Sequence, residues 1–321
     1  MDILLCLDNA YSPYATAVIN SVCINNTGAH NFYIITDYIS EDNKNKIRKF
    51  SNDKGSNVYF LNIDKDDTKG FPIGRKTANT YISIATYFRL FLLRLLPQEV
   101  QKIIYLDCDL VVDGDISSLW NTPIHEDKLI LAVEDDNRSA LKGPKRLGYD
   151  SKFSYFNAGV MLVNVSGIRK ICKHEDIINY IKNNTDKILY HDQDVLNAMF
   201  HKYVQFLPLR YNVLDANYVK GHKLNNRYKK EKDAIFHPLI IHFSGPIKPW
   251  HTECRHPLKN KYIEYINNTP YGHNKIQRKY CSLSSRIKFS FKEVIKCIFE
   301  RLHIKMYSYI SERQYSEHTL S

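Results

Sequence analysis

Two carboxylates separated by a single residue, Asp107 and Asp109, are the side chains of this 321-residue chain best placed to do chemistry. In an extended segment, residues two apart point the same way with α-carbons about 6–7 Å apart, so both can reach one hard cation. They follow Ile103-Ile104-Tyr105-Leu106, a run that reads as a fully buried strand of the kind found inside a parallel sheet. In open α/β sheets ligands bind beyond the carboxyl ends of the strands, and Asp107 stands at such an end. Taken alone, an Asp-x-Asp more often starts a loop or bonds its own backbone. The buried strand before it and the polar groups that close other apolar runs reverse that balance.

Those groups are Asp8, Asp135, Asn157 and His242. Strand ends on one edge of a parallel sheet share a face, so they can converge. Asp107, Asp109 and His242 together suit a divalent cation such as Mn²⁺, with positions left open for phosphate oxygens. By itself His242 would be an ordinary, satisfied histidine. It gains weight from the apolar run before it and from Gly245 and Lys248 after it. Glycine lets a backbone approach a phosphate closely, and lysine brings positive charge to it.

The elements that must position these residues begin with a βαβαβ alternation. Residues 2–7, 31–36 and 58–63 read as strands, and 11–26 and 40–50 as helices, which implies a parallel sheet. Residues 81–96 are apolar but hold Arg89 and Arg94, and Pro97 stops them; a packed helix is expected. Further strands are expected at 129–133, 160–165 and 239–243, and helices at 166–183 and 192–201.

Hydrophobic content of 44% and charged content of 25% are ordinary for a soluble globular protein with a sizeable core. Seven scattered cysteines without a Cys-x-x-Cys pair fit a reducing compartment. No charged-then-apolar leader precedes the first strand, so a cytoplasmic location is expected. Net charge is +11, and the last 46 residues hold nine Lys/Arg against four Asp/Glu. No nucleic-acid motif accompanies that excess. Ile287, Phe291, Val294, Ile295, Ile298, Leu302, Tyr309 and Ile310 fall at helical spacing beside a row of Lys288, Lys292 and Lys296. A basic amphipathic helix of this kind suits an anionic membrane surface, here the inner face of the plasma membrane. Packing on its own domain is the alternative. The expected division is a catalytic domain over 1–270 and a basic helical tail over 271–321.

Residues 2–8, Thr86-Tyr87-Phe88-Arg89-Leu90, Tyr105-Leu106-Asp107-Cys108-Asp109, Phe156-Asn157-Ala158-Gly159, Asp192-Gln193-Asp194-Val195-Leu196-Asn197 and His242 through Trp250 together resemble the motif series of glycosyltransferase family 8. The likeness runs in order over about residues 1–260. It is strongest to the bacterial galactosyl- and glucosyltransferases that build lipopolysaccharide or lipooligosaccharide cores; glycogenin is more distant. The resemblance implies a Rossmann-like GT-A fold, a UDP-hexose donor, a saccharide acceptor, Mn²⁺ (Mg²⁺ as the alternative) and retention of anomeric configuration. Carried over by motif position, it implies Asp107, Asp109 and His242 as metal ligands and Asp8 as the uracil contact. Gly245 and Lys248 would hold the diphosphate. Asn9, Tyr11 and Cys108 would line the donor site, and Arg89, Asp135, Asn157 and Asp192 the donor sugar. Gln193 matches the residue facing the anomeric carbon. Ala10 stands where the family often has Asn, and residues 134–150 match poorly, so Asp136 competes with Asp135.

The chemistry is coherent with this. Breaking a glycosyl–phosphate bond puts negative charge on a diphosphate, which a cation and a lysine stabilise. A retaining hydrolase uses a carboxylate nucleophile, but Gln193 is an amide. Front-face attack is therefore favoured, the leaving phosphate taking the acceptor's proton, with Asp192 as the competing nucleophile. Two rival readings are a nucleotidyltransferase, which would need a Gly-rich loop where this chain has Asp8-Asn9-Ala10-Tyr11, and a catalytically idle scaffold.

Overall fold

The computed structural model describes residues 1–73, 83–135, 140–272, 277–280, 282–301, 308–311 and 314–315. Seven strands form the main sheet, β1 (Asp2–Cys6), β2 (Asn31–Thr36), β3 (Asn57–Asn62), β4 (Lys102–Leu106), β6 (Ile130–Glu134), β7 (Phe156–Asn164) and β8 (Val204–Phe206). Their order is β3-β2-β1-β4-β7-β6-β8. A small sheet holds β5 (Leu110–Val112), β10 (Ile240–His242) and β9 (Val213–Leu214).

Alternation on each strand explains two cores. Ile3, Leu5, Ile104 and Leu106 face one cluster with the helix Ser12–Asn25 and the small sheet. Leu4, Ile103 and Tyr105 face a second with residues 84–92 and the later helices. Strands buried on both faces lose the polar alternation of a solvent-exposed sheet, which is why they read as continuous apolar runs.

The βαβαβ half is parallel as expected. The sheet as a whole is mixed, because β7 runs antiparallel to both β4 and β6. The reversal has a consequence. It brings the start of β7, with Asn157, to the edge where β4 delivers Asp107; Asp107 N–H donates to Gly159 O at 2.8 Å.

Residues 84–91 form a 3-10 helix, followed by a short α-helical turn Leu92–Leu95. A 3-10 helix eclipses residues three apart, so Thr86 and Arg89 share one face and both reach the site. Residues 81 and 82 of the expected helix lie outside the described residues, as does Asp136. The expected helix 166–183 is two, Val165–Ile171 and His174–Asn183, divided where Cys172 is extended. There the Asp176 carboxylate accepts Lys173 N–H at 2.8 Å and opens a second helix N-terminus.

Past residue 270 the chain folds back. The helix Leu283–Arg301 carries exposed Ile287, Phe291 and Val294. Tyr309, Ile310 and Tyr315 pack against the first core cluster. Ile310 N–H donates to Tyr218 O at 2.8 Å, and Lys220 N–H to Ser308 O at 2.8 Å. Tyr309 and Ile310 therefore belong to the domain surface rather than to an amphipathic stripe. Among the described residues, no helix is long and apolar enough to cross a membrane.

Candidate functional site

Asp107-Cys108-Asp109 is the crossover between the two sheets: β4 ends at Leu106 and β5 begins at Leu110. The antiparallel β5–β10 register sets His242 opposite Leu110, and Phe243 N–H donates to Asp109 O at 2.9 Å. Backbone pairing thus fixes the imidazole beside both carboxylates. His242 Nε2 lies 3.1 Å from Asp109 Oδ1 and 3.7 Å from Asp107 Oδ2. One donor atom from each of the three falls within 4.8 Å of the others.

The remaining atoms of these side chains are all occupied. Asp107 Oδ1 accepts from Arg89 Nη2 at 2.7 Å and from the Tyr105 hydroxyl at 2.6 Å. Asp109 Oδ2 accepts from Lys248 Nζ at 2.6 Å. The Nδ1–H of His242 donates to Asn212 Oδ1 at 2.8 Å, so Nε2 is the ring nitrogen that faces the carboxylates. Asp109 Oδ1, buried, has no hydrogen-bond partner. Three electron-rich atoms converge, each backed by an outer partner, as in sites where such partners orient ligands to a metal. The residues fit a divalent cation with oxygen and nitrogen ligands. Burial works against ionising Asp109, yet Lys248 and His242 hold its carboxyl far below the usual range. Burial also works against charge on His242, but Asp109 and Asp107 outweigh it and raise the imidazole above its ordinary value.

Arg89, buried, ties this centre to Asp192. Its Nε meets Asp192 Oδ2 at 2.9 Å, its Nη1 donates to Ala158 O at 2.6 Å, and it lies 4.1 Å from the Tyr105 ring centre. Asp192 Oδ1 accepts from the Thr86 hydroxyl. Burial raises the Asp192 carboxyl above its ordinary value against the pull of Arg89.

Gln193 is held just as closely. Its Oε1 accepts Ala158 N–H at 3.0 Å and its Nε2 donates to Asp135 Oδ2 at 3.1 Å. Asn157 also donates to Asp135 Oδ2, at 3.2 Å, and its Oδ1 accepts from Asn212 Nδ2 at 2.9 Å. One hydrogen-bond chain therefore runs from His242 through Asn212, Asn157 and Asp135 to Gln193. Two devices place the helix His191–Phe200 that carries Asp192 and Gln193. Asp194 is gripped by Arg146 at 2.7 and 2.9 Å and by the Tyr155 hydroxyl at 2.7 Å. His191 takes a positive φ of 50°, uncommon for a non-glycine and a recurrent feature of functional sites.

A cavity of about 820 Å³ opens over Asp107 and Asp109, lined by Asp8, Tyr11, Arg89, Cys108, Gly245 and Lys248 among others. A second, of about 350 Å³, holds Asp135, Asn157, Gln193 and Asp215; Ser244, Gly245 and Pro246 line both. Every site residue expected from the sequence lines one of these two cavities or bonds to a residue that does, with one exception in orientation. The Asn9 side chain is turned to the helix Glu41–Asn52, its Oδ1 accepting from Ser40 N–H and Asn43 Nδ2. Asp8 also has a structural duty, accepting Tyr11 N–H at 3.2 Å and the Ser83 hydroxyl at 2.9 Å. Asn212 and Asp215 are not marked in the sequence: Asn212 stands between a 3-10 turn and β9, and Asp215 opens a four-residue 3-10 helix, both too short for any periodicity or motif to show. Burial pushes the Asp215 carboxyl up to about 6.

Gly159 is the tightest point of the centre. A β-carbon there would lie 2.3 Å from His242 Cε1 and 2.7 Å from Asp107 Oδ2, distances no methyl group tolerates. Gly159→Ala is expected to lower divalent-cation affinity about 10–100-fold by displacing two ligands, while circular dichroism stays that of the parent. Mn²⁺ titration read by electron paramagnetic resonance measures it, and unchanged affinity would remove Gly159 from this role.

The profile of glycosyl transferase family 8 matches residues 2–254. The Lipopolysaccharide 1,2-glucosyltransferase of Escherichia coli (strain K12) is 28% identical over 279 residues, 83% of this chain and 79% of the relative. General stress protein A of Bacillus subtilis is 28% identical over 285 residues, 85% of this chain and 95% of the relative. Among solved structures, the galactosyltransferase LgtC in complex with donor and acceptor sugar analogs superposes with a TM-score of 0.74 at 27% identity, covering 84% of this chain and 96% of that one. The mixed sheet with Asp107 and Asp109 at its crossover is accordingly a GT-A fold, and the chain belongs to glycosyl transferase family 8.

Proposed function

We propose that this glycosyltransferase moves galactose or glucose from a UDP-sugar to a lipopolysaccharide or other cell-surface glycan, with retention of configuration and with Mn²⁺ or Mg²⁺ as cofactor. The observation that carries the reading is the convergence of Asp107 Oδ2, Asp109 Oδ1 and His242 Nε2, each backed by an outer partner. When bound there, a divalent cation supplies positive charge to the departing diphosphate. Lys248, held by Asp109 and by Phe243 O at 2.8 Å, adds a fixed positive charge at the same place. Preorganised charge of this kind is where electrostatic catalysis acts. The names of the relatives, a lipopolysaccharide glucosyltransferase and a galactosyltransferase, support the donor and acceptor classes.

The larger cavity suits the nucleotide diphosphate and the smaller one the acceptor, with Ser244, Gly245 and Pro246 between them. Gln193 faces that junction as a fixed amide dipole, a poor nucleophile. Asp192 has both oxygens engaged by Thr86 and Arg89, which opposes its use as a nucleophile. Front-face attack follows, in which Gln193 and Asp192 shield the developing positive charge and position the sugar. The exposed Ile287, Phe291 and Val294 on a helix rich in lysine suit a peripheral site on the inner face of the plasma membrane.

A screen of UDP-hexoses for Mn²⁺-dependent UDP release tests the donor class, and Asp109→Asn is expected to abolish that release while leaving the fold intact. Pyrophosphate release from UTP would favour a nucleotidyltransferase, and no release from any donor an idle scaffold. Gln193→Ala is expected to keep retaining turnover with a loss of about 10–1,000-fold; a glycosyl adduct on Gln193 or Asp192, seen by mass spectrometry, would put double displacement in its place. Replacing Ile287, Phe291 and Val294 together by Ser is expected to abolish sedimentation with anionic vesicles at low salt without lowering UDP release. Undiminished sedimentation would sink the membrane assignment.

A further inference from the structure

Residues 277–280 lie past residues 2–254, the part of the chain that matches the family profile, yet they return to the donor cavity. Gln277 N–H donates to Trp250 O at 2.8 Å and Gln277 O accepts from Thr252 N–H at 2.9 Å. Two residues on, Lys279 N–H donates to Glu253 Oε2 at 2.9 Å and Tyr280 N–H to Glu253 Oε1 at 3.3 Å. This short edge runs parallel to the continuation of the loop that carries Gly245 and Lys248. Residues two apart in an extended segment face the same way, and the two side chains that face the cavity are Gln277 and Lys279.

Lys279 is half-buried, and among the described residues its ammonium has no carboxylate within 4.0 Å; the nearby Glu253 is engaged by backbone N–H groups. Lys248, by contrast, is paired with Asp109. Burial and the neighbouring Lys248 both disfavour charge on Lys279 and lower it from its ordinary value. Two ammonium groups on one cavity, one of them unpaired, are relieved by an anion between them. A diphosphate has the charge and the acceptor oxygens for this.

We propose that Lys279 is a donor-binding residue whose ammonium pairs with the diphosphate of the nucleotide sugar, so that residues 277–280 complete the donor site. The inference rests on the nucleotide-sugar reading above. It also assigns a part of the donor site to a segment outside the residues that match the family profile.

Because its backbone, not its side chain, anchors the segment, Lys279→Met leaves the docking intact. Calorimetric titration of the full chain with Mn²⁺ present separates the possibilities, using UDP and uridine as probes. Lys279→Met is expected to weaken UDP about 10-fold, as for one lost charge-assisted contact, with uridine affinity unchanged and Lys279→Arg restoring most of the loss. Equal weakening of UDP and uridine would make the residue merely structural, and unchanged UDP affinity would leave it no role; either overturns the proposal. Failure of the parent protein to bind UDP at all would instead bring down the nucleotide-sugar reading itself.

Discussion

Like charges do not gather in a protein interior unless something positive holds them there. Asp107 Oδ2, Asp109 Oδ1 and His242 Nε2 converge at the crossover of two sheets, and much of the surrounding structure exists to hold them so. Arg89 and Tyr105 bind the far side of one carboxylate, Lys248 the far side of the other, and Asn212 the far side of the imidazole. These outer contacts fix which atoms remain free. Gly159 makes room for the cluster, since any side chain there would displace His242.

The same contacts join the charged centre to the position of Gln193. Arg89 bridges Asp107 to Asp192, while the amide chain through Asn212, Asn157 and Asp135 ends on Gln193. A shift at the centre is therefore felt at both Asp192 and Gln193. Backbone pairing supplies the rigidity: β7 sets Gly159 on Asp107, and β10 sets His242 on Asp109. Sites built on strands in this way hold their geometry more closely than sites on loops.

The motif residues were legible because burial is written in composition. A run such as Ile103 to Leu106 can only be a buried strand, and a carboxylate at its end asks for a cation. The direction of β7 was not legible, since a strand buried on both faces reads alike in either sense. The 3-10 geometry at 84–91 was hidden for a related reason: its apolar spacing differs little from that of an α-helix over so few residues. Asn9 follows directly on Asp8, but a single-residue step turns its side chain toward the helix Glu41–Asn52. Asn212 and Lys279 sit in irregular segments and Asp215 in a single 3-10 turn, where contact depends on the tertiary path alone. The path of residues 277–280, 308–311 and 314–315 back over the domain was equally invisible, because the charge and helical spacing of the tail describe only its middle.

The central claim is that Asp107, Asp109 and His242 form one divalent-cation site that serves a bound nucleotide diphosphate. Anomalous scattering at the manganese edge, from crystals of the full chain grown with Mn²⁺ and UDP, measures it directly. The account predicts one strong peak bounded by Asp107 Oδ2, Asp109 Oδ1 and His242 Nε2, in contact with the diphosphate. Well-ordered UDP with no peak at that position, or with manganese held by other residues, would contradict it.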